Sequence, residues 1–182
     1  MKSSKQTLMV GIALWLMTPF LAGQMIQLSI DQMTQRAQVV VQGTVKNKSC
    51  HRDSAGRIYT QVELEVDKVL KGSAASGRFT IVYGGGRIGN QTSVVPLQVD
   101  YAVGEEVVAF LVLNQRGEGV TVGLMQGKFH VWTDPDTKEK LVWNPFLGRP
   151  GSAGSKAQLE ARAGSEQLTL ANLELQVKGA AR

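Results

Sequence analysis

From Ile58 to Leu70 the chain alternates in polarity. Ile58, Thr60, Val62, Leu64 and Val66 lie on one side, with Tyr59, Gln61, Glu63, Glu65 and Asp67 on the other. A period of two predicts a strand with one buried and one solvated face. Before it, Ser29 and Gln32 have the spacing of a capping box, and Leu28, Ile30, Met33 and Ala37 mark one face of a short helix. Val39 to Val45 then reads as a strand that gives way to a polar loop, Lys46 to Ser54. Past the turn at Lys71–Gly77, Phe79 to Tyr83 is a third strand, stopped by Gly84-Gly85-Gly86. Thr92 to Val99 is a weaker strand that Pro96 assigns to an edge. Val107 to Leu113 is almost continuously apolar, as a central strand covered on both faces requires. Val120–Val122, Lys128–Trp132 and Leu141–Trp143 complete the series, separated by Gly-containing turns and Asp134-Pro135-Asp136. Short strands at this spacing without long helices between them predict an all-β domain, an antiparallel barrel or sandwich. A barrel is favoured because closure removes exposed edges.

The two ends read differently. Lys2 and Lys5 precede an apolar run, Leu8 to Leu16, and Leu21-Ala22-Gly23 offers small residues for cleavage. This is the layout of a secretory signal over residues 1–23. The apolar run is shorter than the ~20 residues a membrane span needs, so no stable membrane insertion is expected once the signal is removed. Gln24 stands where a lipoprotein would carry a lipid-bearing cysteine. The barrel is expected over residues 24–144. Residues 145–182 read as a Gly/Pro/Ser linker and a short helix, with Thr169 as its cap and Leu170, Leu173 and Val177 as its apolar stripe. On that pattern the tail is separable from the barrel, and removal of residues 150–182 is expected to cost much less than Phe110→Ala.

Charge and composition narrow the function. The net charge is +5, but residues 24–144 hold 13 basic and 12 acidic side chains, so the excess lies at the ends. A nearly neutral body is a poor match for nucleic acid, which needs a basic stripe. One cysteine and two histidines, without a spaced ligand motif, leave no expected metal or cofactor.

The remaining candidate chemistry is sparse. Gly84 to Gly89 matches G-x-G-x-x-G, but the following residues look extended, where the dinucleotide fingerprint needs a helix. It therefore reads as a hairpin loop. Cys50 and His51 are adjacent, and an imidazole beside a thiol can generate a thiolate nucleophile. His130, on a strand face shared with Lys128 and Trp132, would have to complete such a site. Glu63, Glu65 and Asp67 line the polar face of one strand and are expected opposite Lys or Arg partners. Asn47-Lys48-Ser49 and Asn90-Gln91-Thr92 are glycosylation sequons, meaningful only in a eukaryotic secretory pathway. Tyr101, Trp132, Trp143 and Phe146 are candidates for a stacking platform.

Two stretches carry a resemblance. The first is Ala37-Gln38-Val39-Val40-Val41-Gln42-Gly43-Thr44-Val45, with Ile58-Tyr59-Thr60 and Val69-Leu70-Lys71-Gly72. The second runs from Val103-Gly104-Glu105-Glu106 to Leu113, then Gly123-Leu124-Met125-Gln126-Gly127-Lys128-Phe129. Together they resemble a group of secreted bacterial proteins of unassigned function. More distantly, the first resembles the netrin-type module of tissue inhibitors of metalloproteinases (TIMPs). The resemblance spans roughly residues 30–132. It implies an OB-fold barrel, and a bacterial source that makes the sequons incidental. The animal inhibitors chelate the protease zinc through an N-terminal cysteine and carry disulfides. This chain has Gln24 at the expected mature start and no cysteine pair, so that mechanism transfers to none of its residues.

The resulting expectation is a secreted or periplasmic, non-catalytic binding module whose partner is another secreted or envelope protein. By fold analogy alone, that partner is an extracellular protease. The alternatives are a cell-envelope hydrolase or metal-dependent enzyme using Cys50, His51 and His130, and a glycan binder using surface aromatics such as Trp132 and Trp143. An enzyme needs Cys50 or His51 beside His130 and a cleft; a binder needs an exposed apolar or aromatic patch.

Overall fold

Helix α1 (Ile30–Arg36) begins at the expected capping box: Gln32 N donates to Ser29 Oγ and Ser29 N to Gln32 Oε1, both at 3.1 Å. The computed structural model describes residues 26–74, 77–146 and 168–181. The expected signal, residues 1–23, and most of the expected linker lie outside the described residues. After α1 come strands β1 (Val39–Arg52), β2 (Ile58–Lys71), β3 (Arg78–Gly84), β4 (Gly86–Ile88), β5 (Gln91–Ser93), β6 (Glu106–Leu113) and β7 (Gly119–Thr121). A 3₁₀ turn (Leu124–Gly127), β8 (Lys128–Thr133), β9 (Lys140–Trp143) and helix α2 (Leu170–Ala180) follow. Among the described residues, no helix is long and apolar enough to cross a membrane.

The main sheet has seven strands in the order β1-β2-β3-β7-β6-β8-β9, and β1 also pairs with β6. It is mixed, where the strand pattern predicts an antiparallel sheet. The reason is topological. The pairings among β1, β2, β3, β7 and β6 return to β1, and an odd circuit cannot alternate direction throughout. The parallel pair falls between β3 and β7, at Ile81 and Gly119.

β1 serves two partners because it bends. Its register with β2 shifts at three points between Val40 and Asn47, each a local irregularity that turns the strand. Gly43 sits at one of them, where a Cβ would lie 2.2 Å from the carbonyl oxygen of Glu65. Only glycine permits that approach of the two backbones.

β6 is covered on both faces, as its apolar run predicts. Val107, Ala109 and Leu111 join Val62, Leu64, Ile81 and Tyr101 in one buried cluster. Val108 and Phe110 join Met33, Phe129, Val142, Leu173 and Val177 in a second, beneath the two helices.

Helix α2 is therefore part of the core, which revises the expectation that removing the tail costs little. Leu173 and Val177 have no exposure, and full burial of such a side chain contributes roughly 1.5–3 kcal/mol. α2 starts on its expected cap, with Asn172 N donating to Thr169 Oγ1 at 3.1 Å. Thr169 also bridges to Leu141, Val142 N donates to Leu168 O at 2.9 Å, and Lys68 pairs with Glu174. A three-residue stripe after a Gly-rich stretch gave no sign of these long-range anchors.

Candidate functional site

Cys50 and His51 lie on a strand. β1 continues through the polar stretch read as a loop because β2 pairs with it to the end: Ser49 with Gln61, Cys50 with Thr60, His51 with Tyr59, Arg52 with Ile58. Pairing here overrides the weak strand propensity of polar residues. Successive strand residues point to opposite faces. Cys50 Sγ thus lies 3.5 Å from Thr60 Oγ1, against Gly86. His51 turns the other way, with Nε2 2.8 Å from Ser49 Oγ and its ring 5.6 Å from that of Tyr59.

His130 is elsewhere. It pairs with Val107 on β6, which pairs with Gly43 on β1. Cys50 lies seven positions beyond Gly43, roughly 20 Å of strand at ~3.3 Å per residue. Cys50, His51 and His130 are not brought together. Among the described residues, no three His, Cys, Asp or Glu side chains gather as a metal site.

His130 belongs to a different constellation, organised by Glu105 at the entry to β6. Glu105 Oε2 accepts from Lys128 Nζ at 2.7 Å, and Oε1 accepts from His130 Nδ1. The His130 ring stacks on Trp143, centroids 4.1 Å apart and planes within 7°. Lys128 and His130 share a face two residues apart, so one carboxylate reaches both. Lys128 Nζ also donates to Asp100 O at 2.5 Å and lies 4.9 Å from the Tyr101 ring centroid. Asp100 Oδ1 accepts from Tyr83 Oη at 2.7 Å and from Lys48. Burial raises the Glu105 pKa, but the His130 and Lys128 hydrogen bonds and the Lys128 charge leave it below the usual carboxylate value. Burial pulls Lys128 below the usual lysine value, partly offset by Glu105. These groups satisfy one another. A shallow depression of about 230 Å³ lies between Glu139, Lys140 and the first turns of α2. Its Lys140 pairs with Glu106 and its Glu174 with Lys68.

The other candidates divide. In the acidic row Glu63 pairs with Arg78 at 2.7 Å and Glu65 with Lys46 at 2.6 Å, as expected, while among the described residues no ion pair includes Asp67. The glycine motif forms the β4–β5 hairpin, with Arg87 opposite Thr92. Tyr101 is fully buried, its hydroxyl 2.8 Å from Thr121 Oγ1, so it leaves the stacking platform. Trp132 is 40% exposed on β8, on the face it shares with His130.

The expected edge strand over Thr92–Val99 stops at Ser93. Beyond it, Val94-Val95-Pro96-Leu97 forms an apolar tip. Val94 is 81% exposed, Val95 40% and Leu97 53%. The tip is anchored at both ends: Val95 Cγ2 approaches Gly84, and Val99 is buried beside the clamped Asp100. Leu97 holds φ 58°, a left-handed conformation uncommon for leucine. Consecutive apolar residues around a proline were the available signal; reading them as a strand concealed it. Glu105 was also missed, because in sequence it is an ordinary turn acid.

No protein-family model matches the chain, and no curated protein matches it.

Proposed function

We propose that this chain is an exported, non-catalytic binding module on an OB-type barrel, and that it acts by contacting another protein. The five-strand circuit with a single parallel pair supports the barrel, since an OB-fold is a small five-stranded Greek-key barrel. Export is supported by the charged, apolar and small-residue order of residues 1–23. The observation that carries the function is the exposed tip Val94–Leu97. Val94 and Leu97 keep most of their apolar surface in water at an anchored loop, which supports a contact surface there. The separation of Cys50, His51 and His130 removes the support for the enzymatic alternative. An extracellular protease as the partner rests on the TIMP-type resemblance alone, and a zinc-chelating N-terminal cysteine is not its means. Exposed Trp132, beside the His130–Trp143 stack, favours glycan stacking as a second reading.

The test compares the full chain, tagged at its C-terminus and cross-linked in the native host's medium or envelope fraction, with Val94→Asp/Leu97→Asp. The expected result is a defined partner, identified by mass spectrometry, retained by the parent and lost by the variant while circular dichroism is unchanged. Identical captures from both proteins would overturn the tip as the contact. A glycan array bound by the parent and lost in Trp132→Ala would favour the second reading.

A further inference from the structure

We infer that the protein partner carries carboxylates around an apolar pocket, so that it receives the Val94–Leu97 tip and two flanking arginines together. This rests on the binding reading above and names the chemistry of the partner. Arg87 lies directly opposite Thr92 in the β4–β5 hairpin, two residues before Val94. Arg52, at the end of β1, reaches the same hairpin, donating to Gln91 Oε1 and to Gly56 O. Both arginines are exposed.

Their neighbours show what is unusual. Lys48 pairs with Asp100, Arg57 with Asp53, and Arg116 with Glu118. Among the described residues, the ion pairs include neither Arg52 nor Arg87. Arg87 Nε donates to the nearby carbonyl of Gly89, at 3.0 Å. The acids named here are already engaged, and among the described residues neither guanidinium on the hairpin that leads to the apolar tip has an ion-pair partner. A guanidinium fork matches a carboxylate in a bidentate pair, and an apolar centre with a polar rim is the usual anatomy of a protein interface.

Other anionic partners fit less well. Nucleic-acid binders commonly make ~6–10 phosphate contacts, and this hairpin offers two arginines. Recognition of anionic lipid commonly uses a cluster of ~4–8 basic residues, and membrane-interface anchors are commonly Trp or Tyr. The tip is Val, Val, Pro and Leu.

The experiment uses the full chain and the partner captured above, with binding measured at about 50 and about 300 mM NaCl, ionic strengths that change screening markedly. Arg52→Glu/Arg87→Glu is expected to weaken binding at least tenfold at the lower salt. Arg52→Lys/Arg87→Lys is expected to give a smaller loss. Lys138→Glu, an exposed charge change in the β8–β9 turn, is expected to leave binding unchanged. If Val94→Asp/Leu97→Asp abolishes binding but the arginine reversal and salt do not, the acidic-partner inference is overturned and the binding reading stands. If no partner depends on the tip, both fall. Flotation with phosphatidylglycerol vesicles is the third arm. Binding there that both variants abolish would replace the acidic protein with a lipid surface.

Discussion

Lys128 Nζ and Glu105 Oε2 are 2.7 Å apart, with side-chain exposures of 5% and 15%. Removing one charge strands the other in a poorly solvated site. Breaking a buried pair in this way costs ~3–5 kcal/mol, whereas replacing both members by apolar groups of similar volume is often neutral. Lys128→Met and Glu105→Leu are each expected to lower unfolding free energy by about that amount. The double variant is expected to lose clearly less than their sum. Denaturant melts check the cycle, and additive losses would show that the pair is not coupled.

The same carboxylate sets an acid limit on the fold. Glu105 and Asp100 both have pKa values below their ordinary ones. For Asp100, hydrogen bonds from Lys48 and Tyr83 and the Lys48 charge overcome a burial effect in the opposite direction. In the unfolded chain such groups titrate near ~4. A lowered folded value contributes stability above that pH, which is lost as pH falls through the folded value. Melting temperature is therefore expected to be level near neutrality and to drop below about pH 4. Glu105→Gln is expected to be less stable at neutral pH and to have a shallower acid limb. An unchanged limb would remove Glu105 from this role.

Phe110 and Leu173 belong to one buried cluster although 63 positions separate them in the chain. Phe110→Ala is expected to cost roughly 3–5 kcal/mol and Leu173→Ala roughly 2–5 kcal/mol. Deleting residues 168–182 is expected to destabilise at least as much as Leu173→Ala. A truncated chain that melts with the parent would show that α2 adds nothing to the core.

Gly86 holds φ 132°, and a Cβ there would lie 2.6 Å from Thr60 Oγ1 and 2.7 Å from Cys50 Sγ. Gly86→Ala is therefore expected to destabilise by ~1–3 kcal/mol through backbone strain, with the clash adding to it. Cys50→Ala in the same chain is expected to recover only the part of the clash due to Cys50 Sγ. Full recovery would mean that neither the backbone at Gly86 nor the Thr60 contact is strained.

The strand pattern was legible where burial alternates: Val62 and Leu64 face inward, and β6 is apolar because both of its faces are covered. The cap at Ser29 was legible because it is local. Three features were hidden because they depend on distant partners. β1 extends through Lys46–Arg52 only because β2 runs alongside it. The β3–β7 parallel pair follows from the closure of the strand circuit. Glu105 acquires its role only when β8 brings Lys128 and His130 beside it. The apolar tip was written in Val94-Val95-Pro96-Leu97, but exposure is a tertiary property, and the same letters describe an edge strand.

Amide hydrogen exchange of the full chain, with and without its captured partner, tests the binding account most directly. The account predicts slowed exchange confined to peptides spanning residues 86–99, the hairpin and the tip. Protection centred on β8 and β9 around Trp132, with residues 86–99 unchanged, would contradict it.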